Sequence, residues 1–253
     1  MKTDYANGEV ECSLDRGILT VILNRPRKAN SITSDMLHAL RQISDAVSVD
    51  YNLKAIVLTG AGEKVFSGGV DLKEVESLEI NSQEEIDYYD LWASTTSALS
   101  ALPIPLIALI NGPCVAGGLS LSLCCDMRFA LPNAFLSYPR IPEGFLPGRF
   151  NLTKLTRLIG PSRTKAILLT ARRVLADEAV VWGLVEEVLS PNSWEAEFEK
   201  ILEPIRSSDP RILAATKILT DNVDDNDVWI DSKLAVEQND DEALIRVRRK
   251  PVS

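Results

Sequence analysis

The sequence predicts an α/β fold with a largely parallel sheet, and three observations carry that prediction. Short apolar and β-branched runs alternate with stretches of helical apolar spacing. Two of those runs end directly in glycine-rich loops. From Ile159-Gly160 onward the apolar spacing is helical throughout.

Ile18–Asn24 reads as a strand of apolar and β-branched residues, closed by Arg25-Pro26. The stretch Ser34–Val47 follows with Met36, Leu40, Ile43 and Val47 at helical spacing. Ala55–Thr59 is a second buried strand, ended by Gly60-Ala61-Gly62, and Leu106–Asn111 a third, ended by Gly112-Pro113. Between them Ser82 and Glu85 form a capping-box pattern that opens a polar helix running to Ala101. An apolar helix is expected over Leu119–Cys125. Further helices are expected over Ser162–Thr170, Asp177–Trp182, Trp194–Ile205 and Ile212–Asn222. Ser190-Pro191-Asn192 and Ser207-Ser208-Asp209-Pro210 punctuate the chain, which divides into a core over 1–195 and a helical region over 196–253.

With 253 residues, 45% of them hydrophobic, the chain can bury a large core. The formal charge of −9, from 27 basic and 36 acidic residues, argues against nucleic acid as a partner, because phosphate binding needs a basic face. The acidic excess gathers in Glu74–Asp90 and Asp221–Asp241, which read as solvated faces. No apolar run has the length needed to span a bilayer, and Met1 to Asp15 is too polar and acidic for a targeting segment. A cytoplasmic protein with no membrane partner is the expectation. Cys12, Cys114, Cys124 and Cys125 lack metal-ligand spacing, so neither a metal site nor a disulfide is expected. The single histidine, His38, falls on a helix flank, which leaves a Ser-His-Asp triad without support.

The chemistry-bearing features are the two glycine loops. In the first, Gly68-Gly69 is flanked by Lys64 and Lys73; paired glycines let a backbone turn tightly and present its N–H groups outward. The second, Asn111 to Gly118, opens into a helix whose first N–H groups are free to stabilise a polarised carbonyl. Neither loop is a Walker A or a Gly-x-Gly-x-x-Gly fingerprint. Two such loops after neighbouring strands can converge on one oxygen, which is the geometry of an oxyanion hole.

The segment Phe66-Ser67-Gly68-Gly69-Val70-Asp71-Leu72-Lys73-Glu74 resembles the first signature of the crotonase family, the enoyl-CoA hydratases and isomerases. The stretch 105–130, PLIALINGPCVAGGLSLSLCCDMRFA, resembles its longer second signature. Asn24-Arg25-Pro26 with Asn30, and the downstream Leu158-Ile159-Gly160 and Ala176-Asp177-Glu178-Ala179, fit the same family. The resemblance implies a spiral core of stacked ββα turns with a C-terminal helical trimerisation region, and a homotrimer or a dimer of trimers. It implies an acyl-CoA substrate and no other cofactor. By motif position the thioester oxygen would sit between the N–H groups of Val70 and Gly117. Arg27, Lys28, Ala29, Lys64, Ser67, Gly68, Leu72 and Lys73 match positions that line the coenzyme A. The phosphopantetheine arm is shared with acyl-carrier proteins, and Arg27, Lys28 and Lys64 tilt the reading towards coenzyme A.

The chain departs from the family at its proton-moving pair. The positions of the two hydratase glutamates fall on Ser120 and Arg140. A guanidinium stays protonated and cannot be a general base, but it binds carboxylates in bidentate fashion. Three readings follow. In one, the protein performs enolate chemistry on an acidic acyl group, such as decarboxylation or hydrolysis. In another, Glu143 replaces the missing base and an isomerase or hydratase activity survives. In the third, the chain binds acyl-CoA without turning it over.

Overall fold

The computed structural model describes residues 4–48, 52–222, 228–229 and 248–249. Among the described residues, ten strands and eight α-helices follow one another up to residue 222. An antiparallel meander opens the chain: β1 (Asp4–Tyr5), β2 (Val10–Asp15) and β3 (Ile18–Leu23). Helix α1 (Ser34–Val47) then leads to β4 (Ala55–Gly60), which is followed by α2 (Leu72–Glu76) and α3 (Gln83–Ser100). After β5 (Leu106–Ile110) come β6 (Cys114–Val115), α4 (Gly117–Cys124), β7 (Met127–Ala130) and β8 (Phe135–Ser137). The long α5 (Arg149–Leu169) precedes β9 (Val174–Leu175), α6 (Ala176–Trp182) and β10 (Glu187–Val188), and α7 (Trp194–Ser207) and α8 (Pro210–Asp221) complete this part. Val228–Trp229 (β11) and Arg248–Arg249 (β12) pair antiparallel.

The main sheet runs in the order β1-β2-β3-β4-β5-β7-β10. From β3 to β10 all neighbours are parallel, as the alternation of strands and helices predicts. A smaller sheet, β6-β8-β9, ties the second glycine loop to the strand that carries the chain towards Arg140. The main core lies between the large sheet and α1, α3 and α4, and every residue of α4 is buried. On the sheet's other face Ile18, Val57 and Ile107 pack on α7, where Phe129 meets Phe198 edge-on at a centroid distance of 5.8 Å.

Helix α1 has the predicted bounds because Thr33 caps it, accepting from the Met36 N–H, while Met36, Leu40, Ile43 and Val47 face the core. His38 is exposed on its outer flank. Helix α3 starts at the predicted cap, with Ser82 Oγ accepting from Glu85 N–H at 3.1 Å. Helix α5 departs from the expectation. Its second half matches the predicted Ser162–Thr170, but helical turns already begin at Arg149. Gly160 is non-helical (φ 76°, ψ 165°), so two helical segments meet end to end there, and the Gly160-Pro161 break conceals the first of them. The β1–β2 hairpin and α2 were also absent from the sequence expectation. The acidic segment beyond Asn222, within Asp221–Asp241, lies outside the described residues apart from Val228–Trp229. Among the described residues, no helix is long and apolar enough to cross a membrane.

Candidate thioester-binding site

Parallel strands β4 and β5 end side by side, and the two glycine loops leave from their C-terminal ends, where open α/β sheets place ligands. Asn111 holds these exits together. Its Nδ2 donates to Gly60 O at 2.8 Å and Gly62 O at 2.6 Å, while its Oδ1 accepts from Gly60 N–H at 3.3 Å. Asn30 does the same one layer out. Its buried amide donates to Ala61 O and Val65 O and accepts from Arg25 N–H.

The first loop is then fixed strand-like against two neighbours. Ile32 N–H donates to Gly69 O at 2.8 Å and Asp71 N–H donates to Ile32 O at 2.9 Å, so the intervening Val70 N–H points away from this pairing. On the other side Val115 N–H donates to Ser67 O at 2.9 Å. The second loop reaches α4 through Ala116, a non-glycine residue at φ 49° and ψ −109°. Such strain is held where the surroundings over-determine it, and its effect is to leave Gly117 as the first helical residue with an unused N–H. Among the described residues, neither Val70 N–H nor Gly117 N–H has a hydrogen-bond partner.

The two N–H groups are neighbours in space. A Cβ placed on Gly117 would stand 3.2 Å from Val70 N, and one on Gly69 would stand 3.0 Å from Gly117 N. Gly69 also has φ +100°, so both positions demand glycine, one for conformation and both for close approach. The candidate donors proposed from the sequence are thus brought together.

Ser120 lies one turn along α4 from Gly117, on the same face. It is buried, its Oγ donating to Ala116 O at 3.3 Å and accepting from Asn151 Nδ2 at 2.8 Å. Its proton is committed, so it is not an activated nucleophile. Arg140 follows β8, its guanidinium carbon 4.0 Å above the Phe145 ring and its Nη1 2.6 Å from Glu143 Oε2. The side chain of Arg140 is 13% exposed and that of Glu143 52%. Glu143 therefore lacks the burial that a base tuned to neutral pH would need. Arg140 faces three phenols: its charge favours the ionised forms of Tyr88, Tyr89 and Tyr138. Burial outweighs it in each and raises all three, that of Tyr88 to about 12.

Two contributions from α3 and one from α5 were not anticipated from the sequence. Trp92 lies over Gly117, where an added Cβ would meet its Cη2 at 2.7 Å. Tyr88, one turn earlier on the same face, is buried beside it. Asn151 reaches Ser120 from α5. Their spacing in sequence carries no signal for this, because only the packing of α3 and α5 against α4 assembles them.

The coenzyme-binding candidates occupy the rim. Arg27, Lys28 and Ala29 form an exposed turn joined to the first loop by a 2.8 Å bond from Gly68 N–H to Ala29 O. Lys64, Gly68, Leu72 and Lys73 are exposed as well. Ser67 differs from the expectation: it is fully buried, and its Oγ donates to Asn30 O at 2.8 Å and accepts from Gly69 N–H at 3.2 Å. It belongs to the frame of the loop. Ser137, buried too, donates to Ala171 O.

Fold and site together define an α/β protein built to present paired backbone donors at the exit of a parallel sheet. The Enoyl-CoA hydratase/isomerase family model matches residues 13–238, and the chain belongs to that family. YngF of Bacillus subtilis is 35% identical over 218 residues, which is 86% of this chain and 82% of YngF. The short-chain-enoyl-CoA hydratase of Clostridium acetobutylicum is 32% identical over 200 residues, 79% of this chain and 76% of that protein. Among solved structures, the enoyl-CoA hydratase of Bacillus anthracis superposes with a TM-score of 0.79 at 34% identity, covering 85% of this chain and 83% of that one. The fold is the crotonase fold.

Proposed function

We propose that this chain binds an acyl-CoA thioester with its carbonyl oxygen between the N–H groups of Val70 and Gly117, and acts on an acyl group that carries a second, acidic function. The adjacency of two unpartnered N–H groups is the observation that supports the first half. A donor of this kind contributes about 3–4 kcal/mol of transition-state stabilisation. The second half rests on what stands in place of a proton-moving pair: Ser120 with a committed hydroxyl, and Arg140, a permanent cation among buried phenols.

Decarboxylation suits this inventory better than hydration. The Cα–carboxylate bond breaks, its electron pair passes into the thioester enolate, carbon dioxide leaves, and solvent returns a proton to Cα. No enzymic base is required. The paired N–H groups stabilise the enolate oxygen, which is where charge develops. Arg140 would bind and orient the acidic group. Hydrolysis would need a group to activate water, and neither Ser120 nor Arg140 provides one. The rim residues Arg27, Lys28, Lys64 and Lys73 would attract the nucleotide phosphates in spite of the chain's net acidity. A trimeric assembly is part of the same proposal, supported by exposed Leu169, Leu175 and Val181 along α5, β9 and α6.

Non-catalytic binding is the second reading, favoured by the pairing and exposure of Glu143. A panel of crotonyl, 3-hydroxybutyryl, malonyl, methylmalonyl and glutaconyl thioesters, with products read by mass spectrometry, separates the two. Consumption of malonyl-type thioesters with loss of carbon dioxide supports the enzyme. Affinity without turnover supports the binder. Rapid hydration of crotonyl-CoA would overturn both.

A further inference from the structure

Arg25 is joined to the candidate donor at Val70 by two peptide units in series. Its Nη1 donates to Ser31 O at 2.8 Å. A trans peptide points its C=O and N–H in opposite directions, so the far side of that unit is the Ile32 N–H, which donates to Gly69 O at 2.8 Å. The Gly69–Val70 unit repeats the arrangement. Its oxygen is held by Ile32, and its N–H is the one that stands without a partner beside Gly117.

Both links run through the interior, since Ile32 is fully buried and the Arg25 side chain is only 14% exposed. Hydrogen bonds in series polarise one another, and away from water they do so with little screening. A guanidinium at the head of the series makes the first bond charge-assisted and sets both peptide dipoles with their positive ends towards the bound oxygen. The Gly117 donor has no such head: Ala116 O, in the same peptide unit, accepts from the neutral Ser120 N–H at 3.0 Å and Ser120 Oγ at 3.3 Å. Arg25 also offsets an opposing charge. Asp71 follows Val70 directly, and its carboxylate, left bare, would disfavour negative charge on the oxygen; Arg25 Nη1 lies 2.8 Å from Asp71 Oδ2.

We propose that Arg25 is a positioning residue for the thioester carbonyl: through the Ser31–Ile32 and Gly69–Val70 peptide units it strengthens the Val70 donor against the negative charge that develops on the oxygen. The proposal rests on the carbonyl placement above, and it assigns part of the polarisation of the bound carbonyl to a side chain two peptide units away.

The test is isotope-edited infrared spectroscopy of butyryl-CoA, labelled with carbon-13 at the carbonyl and bound to the full chain. Butyryl-CoA has no acidic group, so the outcome is independent of that part of the functional reading. On the wild type the carbonyl stretch should move to lower wavenumber than in free butyryl-CoA. Arg25→Gln should lose about 20–60% of that shift, the strengthening expected of two bonds in series at about 10–30% each. Arg25→Lys keeps the charge but cannot serve Glu9, Asp71 and Ser31 O together from one fixed plane, so its shift should fall in between. It carries the test if the glutamine variant does not fold. Glu9→Gln loosens the guanidinium from the β1–β2 hairpin, where Nε stands 2.8 Å from Glu9 Oε1, and leaves its bond to Ser31 O. That variant should melt at a lower temperature without any reduction of the shift, whereas a merely structural role of Arg25 would make the shift follow stability in all three variants. A shift undiminished in the folded arginine variants would overturn the proposal and leave the carbonyl site standing. Absence of a shift in the wild type would be the failure of the carbonyl site itself.

Discussion

Arg25 Nη1 lies 2.8 Å from Asp71 Oδ2, joining the end of β3 to the residue that follows Val70. The same nitrogen donates to Ser31 O and Ser31 Oγ, and Arg25 Nε stands 2.8 Å from Glu9 Oε1. Asp71 in turn caps α2 through Lys73 N–H. The pair therefore braces both sides of the candidate donor at Val70. Hydrogen bonding from Arg25 holds the Asp71 carboxyl below the ordinary carboxylate range, against an opposing contribution from burial. A carboxylate whose folded pKa is depressed adds stability above its unfolded value, and that stability is lost as pH falls through the folded one.

Acid titration of the wild type and of Asp71→Asn should thus differ in a defined way. The wild type should lose stability as pH drops below the usual carboxylate range, and the variant should show less of that slope. At neutral pH the variant should be weaker by about 1–3 kcal/mol, the cost of leaving the partly buried Arg25 with one acceptor fewer. Urea denaturation at several pH values measures both. Equal slopes would remove Asp71 from the account.

Gly117→Ala tests the candidate carbonyl site directly. The new methyl would stand 2.7 Å from Trp92 Cη2 and 3.2 Å from Val70 N, in the space the thioester oxygen is proposed to occupy. Because the donor at Gly117 is a backbone group, the change blocks access without removing it. Turnover of the best thioester in the panel should fall by about 100- to 1,000-fold, comparable to loss of an oxyanion donor. A melting temperature close to wild type would show that the loss belongs to the site. Unchanged turnover would move the carbonyl elsewhere.

What was readable in the sequence follows from the range of the forces involved. Helix α1 shows its bounds because Thr33 and four core residues mark them locally, and Ser82 does the same for α3. Strands β3, β4 and β5 are apolar runs ended by their own turn residues. The glycine loops are visible because close approach at Gly69 and Gly117 admits no side chain. Trp92, Tyr88 and Asn151 are a different case. Each stands in a helix with weak or ordinary patterning; Trp92 and Asn151 reach the site through contacts with α4 made across more than twenty residues of chain, and Tyr88 stands beside Trp92. The first half of α5 was hidden for a local reason, the Gly160-Pro161 break, which ends one helical segment as it starts another.

The four cysteines give a prediction independent of any ligand. Cys12, Cys114, Cys124 and Cys125 are free and buried. Burial pushes the Cys12 thiol up to about 11 and those of Cys114 and Cys124 to about 12, and Cys125 moves in the same direction. A thiol whose folded pKa lies above its unfolded value contributes stability below the unfolded pKa, and this is lost as pH rises through the folded one. The native protein should therefore resist a thiol reagent at pH 8 and yield four fast-reacting groups in denaturant. Its stability should fall as pH rises above about 9. Rapid labelling of native protein would contradict the burial.

Glu143 decides between a base and a competitor. Its carboxylate pairs with Arg140 from the solvent side, 2.6 Å away and half exposed, so the pair itself adds at most about 1 kcal/mol to stability. If Arg140 binds an acidic acyl group, Glu143 and the ligand compete for one guanidinium. Glu143→Gln should then tighten binding of glutaryl-CoA by about 2- to 5-fold, the free-energy range of an exposed pair, and leave butyryl-CoA unchanged. Arg140→Met should erase the difference between the two esters in either background. A general base behaves in the opposite way: the glutamine variant would lose turnover, with little effect on binding, and the acidic limb of the pH profile would disappear. Measuring both affinity and turnover on Glu143→Gln therefore separates the two roles in one variant, because each moves a quantity that the other leaves in place.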